Sequence, residues 1–157
     1  MALTENGFYI IDDQFFIDFP DPYLRGNHQE NRPHYYCFKE KDTSLYWVIP
    51  LSFQIDKYKK IIEKKRRTKK PCDILHILKI AGRESVFLIQ DMFPITEKYI
   101  KREYTIDNIP LKLLNKKQIN QLNKKARKIL VLIRKGIILN PTQPNVLKVE
   151  EELLKKG

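Results

Sequence analysis

His34 and Ser52 fall within one short stretch of the chain, just ahead of a run of cations that begins at Lys57, and side chains of these types can serve RNA cleavage without a metal ion. RNA supplies its own nucleophile, the 2′-hydroxyl. The protein must add a group that accepts or donates protons, a cation for the charge on the pentacoordinate phosphorane, and polar groups that orient the phosphate. Histidine, with an ordinary pKa of about 6.5, suits the first task. Ser52 follows Pro50-Leu51 at a strand exit, where a hydroxyl can face a phosphate, and Lys57 opens a run of cations. Each residue also has a structural reading. His34 enters a strand after a loop and fits a strand-end histidine, while Ser52 precedes a helical pattern and fits a helix cap. For Ser52 the two roles are compatible, because a helix N-terminus also binds anions.

Other chemistries find less support. His28, His34 and His76 are scattered, with no i, i+4 pair and no clustered carboxylates, so no metal site is expected. The five glycines are not grouped into a phosphate loop, and Gly-x-Ser-x-Gly is absent. Cys37 and Cys72 are too few for a disulfide framework and lack zinc spacing. The expected domain is free of metal and cofactor.

Its partner is expected to be a polyanion. The net charge is +11, from 30 Lys+Arg against 19 Asp+Glu, and such an excess draws nucleic acid. The densest cations are Lys57, Lys59, Lys60, Lys64, Lys65, Arg66, Arg67, Lys69 and Lys70, offset in place only by Glu63. Like charges this close repel unless a polyanion neutralises them, although a solvated helix face is the plainer reading. With Arg25 and Arg32 in the preceding loop and Arg83 beyond, they make the candidate RNA-binding set. A second cluster between Lys116 and Lys135 reads as the solvated face of a helix. Tyr35, Tyr36, Tyr46 and Trp47 can stack on splayed bases, but aromatics in strands are more often core. A non-catalytic RNA-binding module explains charge and aromatics equally well. A DNA-binding helix domain fits less, lacking a helix-turn-helix context.

The elements that must position these groups read as strands first and helices later. Gly7-Phe-Tyr-Ile-Ile11 and Gln14-Phe-Phe-Ile-Asp-Phe19 suggest a hairpin turning at Asp12-Asp13, and Tyr23 to Pro33 a long loop. His34–Phe38 and Leu45–Ile49 form a strand pair. A basic helix starts near Asp56, with Tyr58, Ile61 and Ile62 on one face and Pro71 as its stop. Residues 73–80 and 85–90 suggest another hairpin, and Tyr99–Tyr104 a short helix or strand. Lys117–Arg134 is the clearest helix, with Gly136 at its C-terminal cap, and a last helix covers about 143–155. This order predicts an α+β fold with a curled antiparallel sheet in a single domain, residues 1–157. The apolar content of 42% argues against disorder. No apolar run is long enough to cross a membrane and the N-terminus lacks signal-peptide character, so a cytoplasmic protein is expected.

The succession of segments resembles a known family. Phe8-Tyr9, Asn31-Arg-Pro33-His34-Tyr-Tyr, Leu45-Tyr-Trp-Val-Ile-Pro50-Leu51-Ser52, Phe93-Pro94-Ile95 and Asn108-Ile-Pro110 follow in the order of the ToxN/AbiQ-like endoribonuclease toxins of type III toxin–antitoxin systems, most like their CptN-type branch. The resemblance implies a compact, highly curved antiparallel sheet similar to the Kid/MazF-type partial barrel, with surrounding helices. It implies sequence-specific, metal-independent RNA cleavage that leaves a 2′,3′-cyclic phosphate and a 5′-hydroxyl. It also implies an RNA antitoxin of pseudoknot repeats, processed by the toxin and held with it in closed assemblies, and a role in phage abortive infection or plasmid maintenance. Where the family pattern has a lysine after a proline, this chain has His34 after Pro33; where it often has two adjacent hydroxyls, this chain has Ser52-Phe53; and a family tyrosine is replaced by Phe15. On this reading His34 transfers protons, Ser52 holds the scissile phosphate and Lys57 stabilises its charge.

Overall fold

The sheet divides at one strand, β3 (Tyr46–Ser52), and that division makes the site. In the computed structural model, which describes residues 3–69 and 72–156, β3 is buried along its whole length. One edge pairs with β2 (His34–Lys39), with His34 opposite Pro50. The other edge is shared. Leu51 and Ser52 pair with β5 (Arg83–Leu88), whereas Tyr46 to Val48 pair with β6 (Phe93–Ile95). Between β5 and β6 the chain makes a 3₁₀ turn, Ile89–Asp91. Pro50 lies in the gap between the two pairings. Having no N–H, proline is at home where a ladder is interrupted.

The remaining strands extend this sheet on both sides. β1 (Phe8–Ile11) joins β2, and β7 (Ile100–Glu103) joins β1. β4 (Leu75–Ile80) closes a hairpin with β5 through Ala81-Gly82, both with left-handed φ of 49° and 80°. Such a pair of φ values suits a tight turn whose twist matches the strands. The order β4-β5-β3-β2-β1-β7 leaves β4 and β7 as edges, so the antiparallel sheet is open and not closed into a barrel. A small hairpin, β8 (Thr105–Ile106) with β9 (Ile109–Pro110), stands apart from it.

Helices cover the sheet. α1 (Asp13–Asp18) occupies the segment expected to be a second strand. Asp12 caps it, accepting a hydrogen bond from the Gln14 amide at 2.9 Å. A helical period sets Phe15 and Phe19 on one face, where Phe15 stacks on Phe93 at 5.0 Å between ring centres. α2 (Ile55–Arg67) packs on β5, and Thr68 ends it before Pro71, which lies outside the described residues. α3 (Lys116–Arg134) buries Leu122, Ala126, Ile129, Leu130 and Ile133 against β2 and the 3₁₀ turn. α4 (Val146–Lys156) buries Val146, Val149 and Leu153 next to β6.

α3 ends on Gly136, whose φ is 80° and whose amide donates to the Ile133 carbonyl at 2.9 Å. A Cβ placed there meets nothing within 4 Å, so the backbone conformation alone sets the cost of a side chain. Gly136→Ala is expected to lower stability by about 1–2 kcal/mol, measured by urea denaturation.

Candidate active-site cleft

Where the sheet forks, a cleft of about 660 Å³ opens between α2, the 23–33 loop, the 3₁₀ turn and the linker from α3 to α4. His34 and Pro50 form its floor, and Asp91 sits in its wall. The loop is held down by Asn27, a buried side chain that donates to the Ile11 carbonyl at 2.8 Å and accepts from the Glu30 amide at 3.1 Å. That anchoring fixes the approach of Arg25 and Arg32, which also line the cleft. From α2 come Lys57, Tyr58, Ile61, Lys64 and Lys65. Positions 57, 61, 64, 65 and 68 recur at helical spacing, so one face of α2 meets the cleft.

Asp91 is the group that sequence reasoning missed. Burial is the main cause that raises its pKa, to about 6, while hydrogen bonding with the Gln90 side chain, and then Arg25, Arg32 and Lys57, pull in the other direction. Its Oδ1 is buried without a hydrogen-bond partner. A carboxyl poised near neutrality among cations in a cleft is the arrangement expected of an acid–base group. Tyr58 lies close by, its hydroxyl kept protonated by burial and by the Asp91 charge. In the sequence, Asp91 is the one charged residue between Val86 and Ile95. A lone carboxylate inside such an apolar run is the signal that could have pointed to it.

His34 is almost completely enclosed, with 1% of its surface exposed. Burial, followed by the charge of Arg32, pushes its pKa down to about 3, so the imidazole is neutral at physiological pH. Nδ1 lies 3.2 Å from the Arg32 carbonyl. A carbonyl only accepts, so Nδ1 carries the hydrogen and Nε2 keeps its lone pair. Phe93 packs edge-on against the ring at 5.5 Å.

Ser52 is buried at the end of β3, outside the cleft lining. Its Oγ accepts from the Gln54 amide at 3.2 Å, an interaction that turns the chain into α2, while the N-cap itself is Gln54. Among the expected RNA-binding residues, the cleft gathers Arg25, Arg32, Lys64 and Lys65. The other described members of the set do not line it. Lys59 pairs with Glu84 at 3.2 Å, and Arg66 and Arg67 both reach Glu63 at 3.7 Å. Arg83 stacks on Phe53, 3.6 Å from the ring centre, over a separate small hollow. Lys60 and Lys69 are exposed, and Lys70 lies outside the described residues. On α3 the cations have local partners: Arg127 lies over Phe38, Arg134 bonds Glu40 and Glu150, and Lys125 donates to Nδ1 of His76 at 2.9 Å.

The chain matches no protein-family model and no curated protein. Among the described residues, no helix is long and apolar enough to cross a membrane.

Proposed function

We propose that this cleft cleaves RNA by attack of a 2′-hydroxyl on the adjacent phosphorus, without a metal ion. The observation that carries this reading is Asp91, a carboxyl that titrates near neutrality amid Arg25, Arg32 and Lys57. Its carboxylate takes the 2′-hydroxyl proton as the O2′–P bond forms. The three cations offset charge on the phosphorane oxygens. Tyr58 gives its proton to O5′ as the P–O5′ bond breaks, and solvent later carries the Asp91 proton back to Tyr58. The products are a 2′,3′-cyclic phosphate and a 5′-hydroxyl. Held neutral, His34 offers Nε2 to a substrate hydroxyl as an acceptor, and Asp91 takes over the proton transfer that the sequence suggested for His34. Ser52 supports the site by setting the direction of α2.

The resemblance drawn from the sequence extends the proposal. The chain acts as the endoribonuclease toxin of a type III toxin–antitoxin system, with its curved sheet related to the Kid/MazF-type partial barrel. An RNA antitoxin of pseudoknot repeats fills the cleft and is processed there, closed toxin–RNA assemblies form, and cellular mRNA is the target.

A binding-only reading draws on a different observation. The Ser52 hydroxyl, which accepts from a backbone amide, lies outside the cleft lining, as do Lys60, Arg66 and Arg67 on the exposed surface of α2, which suits an RNA that is held and left intact. End-labelled RNA incubated with the protein in excess EDTA separates the two. Cleavage with cyclic-phosphate ends is expected. RNA bound tightly but recovered whole supports the binding module, and cleavage that stops on chelation overturns the metal-free chemistry.

A further inference from the structure

The linker between α3 and α4 contributes Asn140 to the same cleft. Its Oδ1 accepts two hydrogen bonds from Thr142, one from the backbone amide at 3.0 Å and one from the hydroxyl at 2.9 Å. An amide oxygen has two lone pairs, so both are taken. A backbone N–H can only donate, which fixes the amide with its oxygen toward Thr142. Nδ2 is thereby left buried with no partner. Together with Asp91 Oδ1, it is one of two such atoms among the described residues, and both belong to residues that line this cleft. A buried donor left open in this way is explained by a ligand that arrives with an acceptor. The wall around it carries Phe16, Tyr23 and Tyr58, aromatic faces of the kind on which splayed bases stack.

The geometry points to Asn140 as the reader of a keto nucleobase, guanine or uracil, lying beside the scissile phosphate. This deepens the RNA-cleaving reading of the cleft and rests on it. An asparagine that reads adenine uses both ends of its amide, accepting from N6 and donating to N7. Here the accepting end is committed to Thr142, and only the two N–H donors remain. The base must therefore present acceptors, as guanine does with O6 and N7 and uracil with O4. An amino group in that place, N6 of adenine or N4 of cytosine, sets donor against donor.

The test uses the full chain and fluorescent 2′-O-methyl octamers of uridine and cytidine, which lack a free nucleophile and stay intact. Binding is followed by anisotropy. The parent is expected to prefer the uridine octamer about tenfold, the discrimination of one well-formed contact. Asn140→Asp keeps an oxygen for Thr142 and replaces the donors by an acceptor. Its overall affinity falls with the added negative charge, so the ratio is the readout, and it should reverse in favour of cytidine. Thr142→Val frees one lone pair of the Asn140 oxygen and is expected to narrow the parental preference. Equal affinities in the parent, or a ratio that Asn140→Asp leaves unchanged, overturn the assignment. The readout needs no cleavage. A preserved ratio with RNA that is never cut therefore sinks the nuclease reading alone, and cutting without any base preference sinks the base reader alone.

Discussion

Asp91→Asn is expected to slow RNA cleavage by about 10²–10⁴-fold, the usual contribution of a positioned acid–base group, while RNA is held as tightly or more so. The amide keeps the shape of the carboxyl but cannot take a proton, and it removes a negative charge from beside Arg25, Arg32 and Lys57. Single-turnover cleavage and binding of an uncleavable RNA measure the two effects separately. The substitution also carries a stability signature independent of function. Burial raises the Asp91 pKa from 3.8 to about 6, so the folded chain binds this proton more tightly than the unfolded chain. The contribution of the group to stability is therefore greatest below pH 3.8. It declines as pH rises toward 6, and above that it is an unfavourable constant of roughly 2–3 kcal/mol. Asp91→Asn should accordingly be more stable than the parent at pH 7.5, and the difference should close as pH is lowered to about 4. Urea titrations at the two pH values read it. A variant that cuts RNA at the parental rate removes Asp91 from the chemistry, and a stability difference that ignores pH contradicts its burial as a charge.

Local pattern was enough to find the parts of this fold that depend on it. The apolar runs of β2 and β3, the three-and-four spacing of α3 and the cap at Gly136 were legible because each is a property of neighbouring residues. The segment after Asp12 was not, since Phe15-Phe16 and Phe19 fit a strand as well as one face of a helix. The capping carboxylate of Asp12 and the burial of Phe15 against Phe93 decide for the helix. The site was legible only in part for the same reason. The charge run on α2 could be seen, and its helical period was available to sort Lys57, Lys64 and Lys65 from Lys59, Lys60, Arg66 and Arg67. Which face meets a cleft, however, depends on the packing of α2 against β5. Asp91 owes its chemistry to long-range structure. It becomes a neutral-range acid because β5 and β6 part along β3 and leave their connecting turn buried beside two loop arginines. No spacing along the chain encodes that meeting. Burial likewise changes the role of His34, turning a residue whose ordinary pKa suits proton transfer into a neutral acceptor.

Arg32→Ala is expected to slow cleavage about 10²–10³-fold, the loss typical of one preorganised charge-stabilising donor, and to move the acid limb of the pH–rate profile to higher pH. The guanidinium has two consequences that run through different groups. Toward substrate it supplies a forked donor for the phosphorane oxygens. Toward the protein it is one of three cations that oppose the effect of burial on Asp91, so removing it raises the carboxyl pKa further above 6. A base acts only when ionised, and activity should therefore appear at a higher pH than in the parent. The Arg32 carbonyl that holds His34 Nδ1 survives the substitution, and the loss of the nearby charge relaxes His34 only upward from a pKa near 3. The shift of the limb is thus attributable to Asp91. Arg32→Lys keeps the charge and loses the fork. It should bring the limb back toward the parental position while recovering only part of the rate. If Arg32→Ala slows the reaction without moving the limb, the arginine holds phosphate but does not tune the base. If Arg32→Lys restores rate and limb together, charge alone is sufficient and the forked geometry is not required.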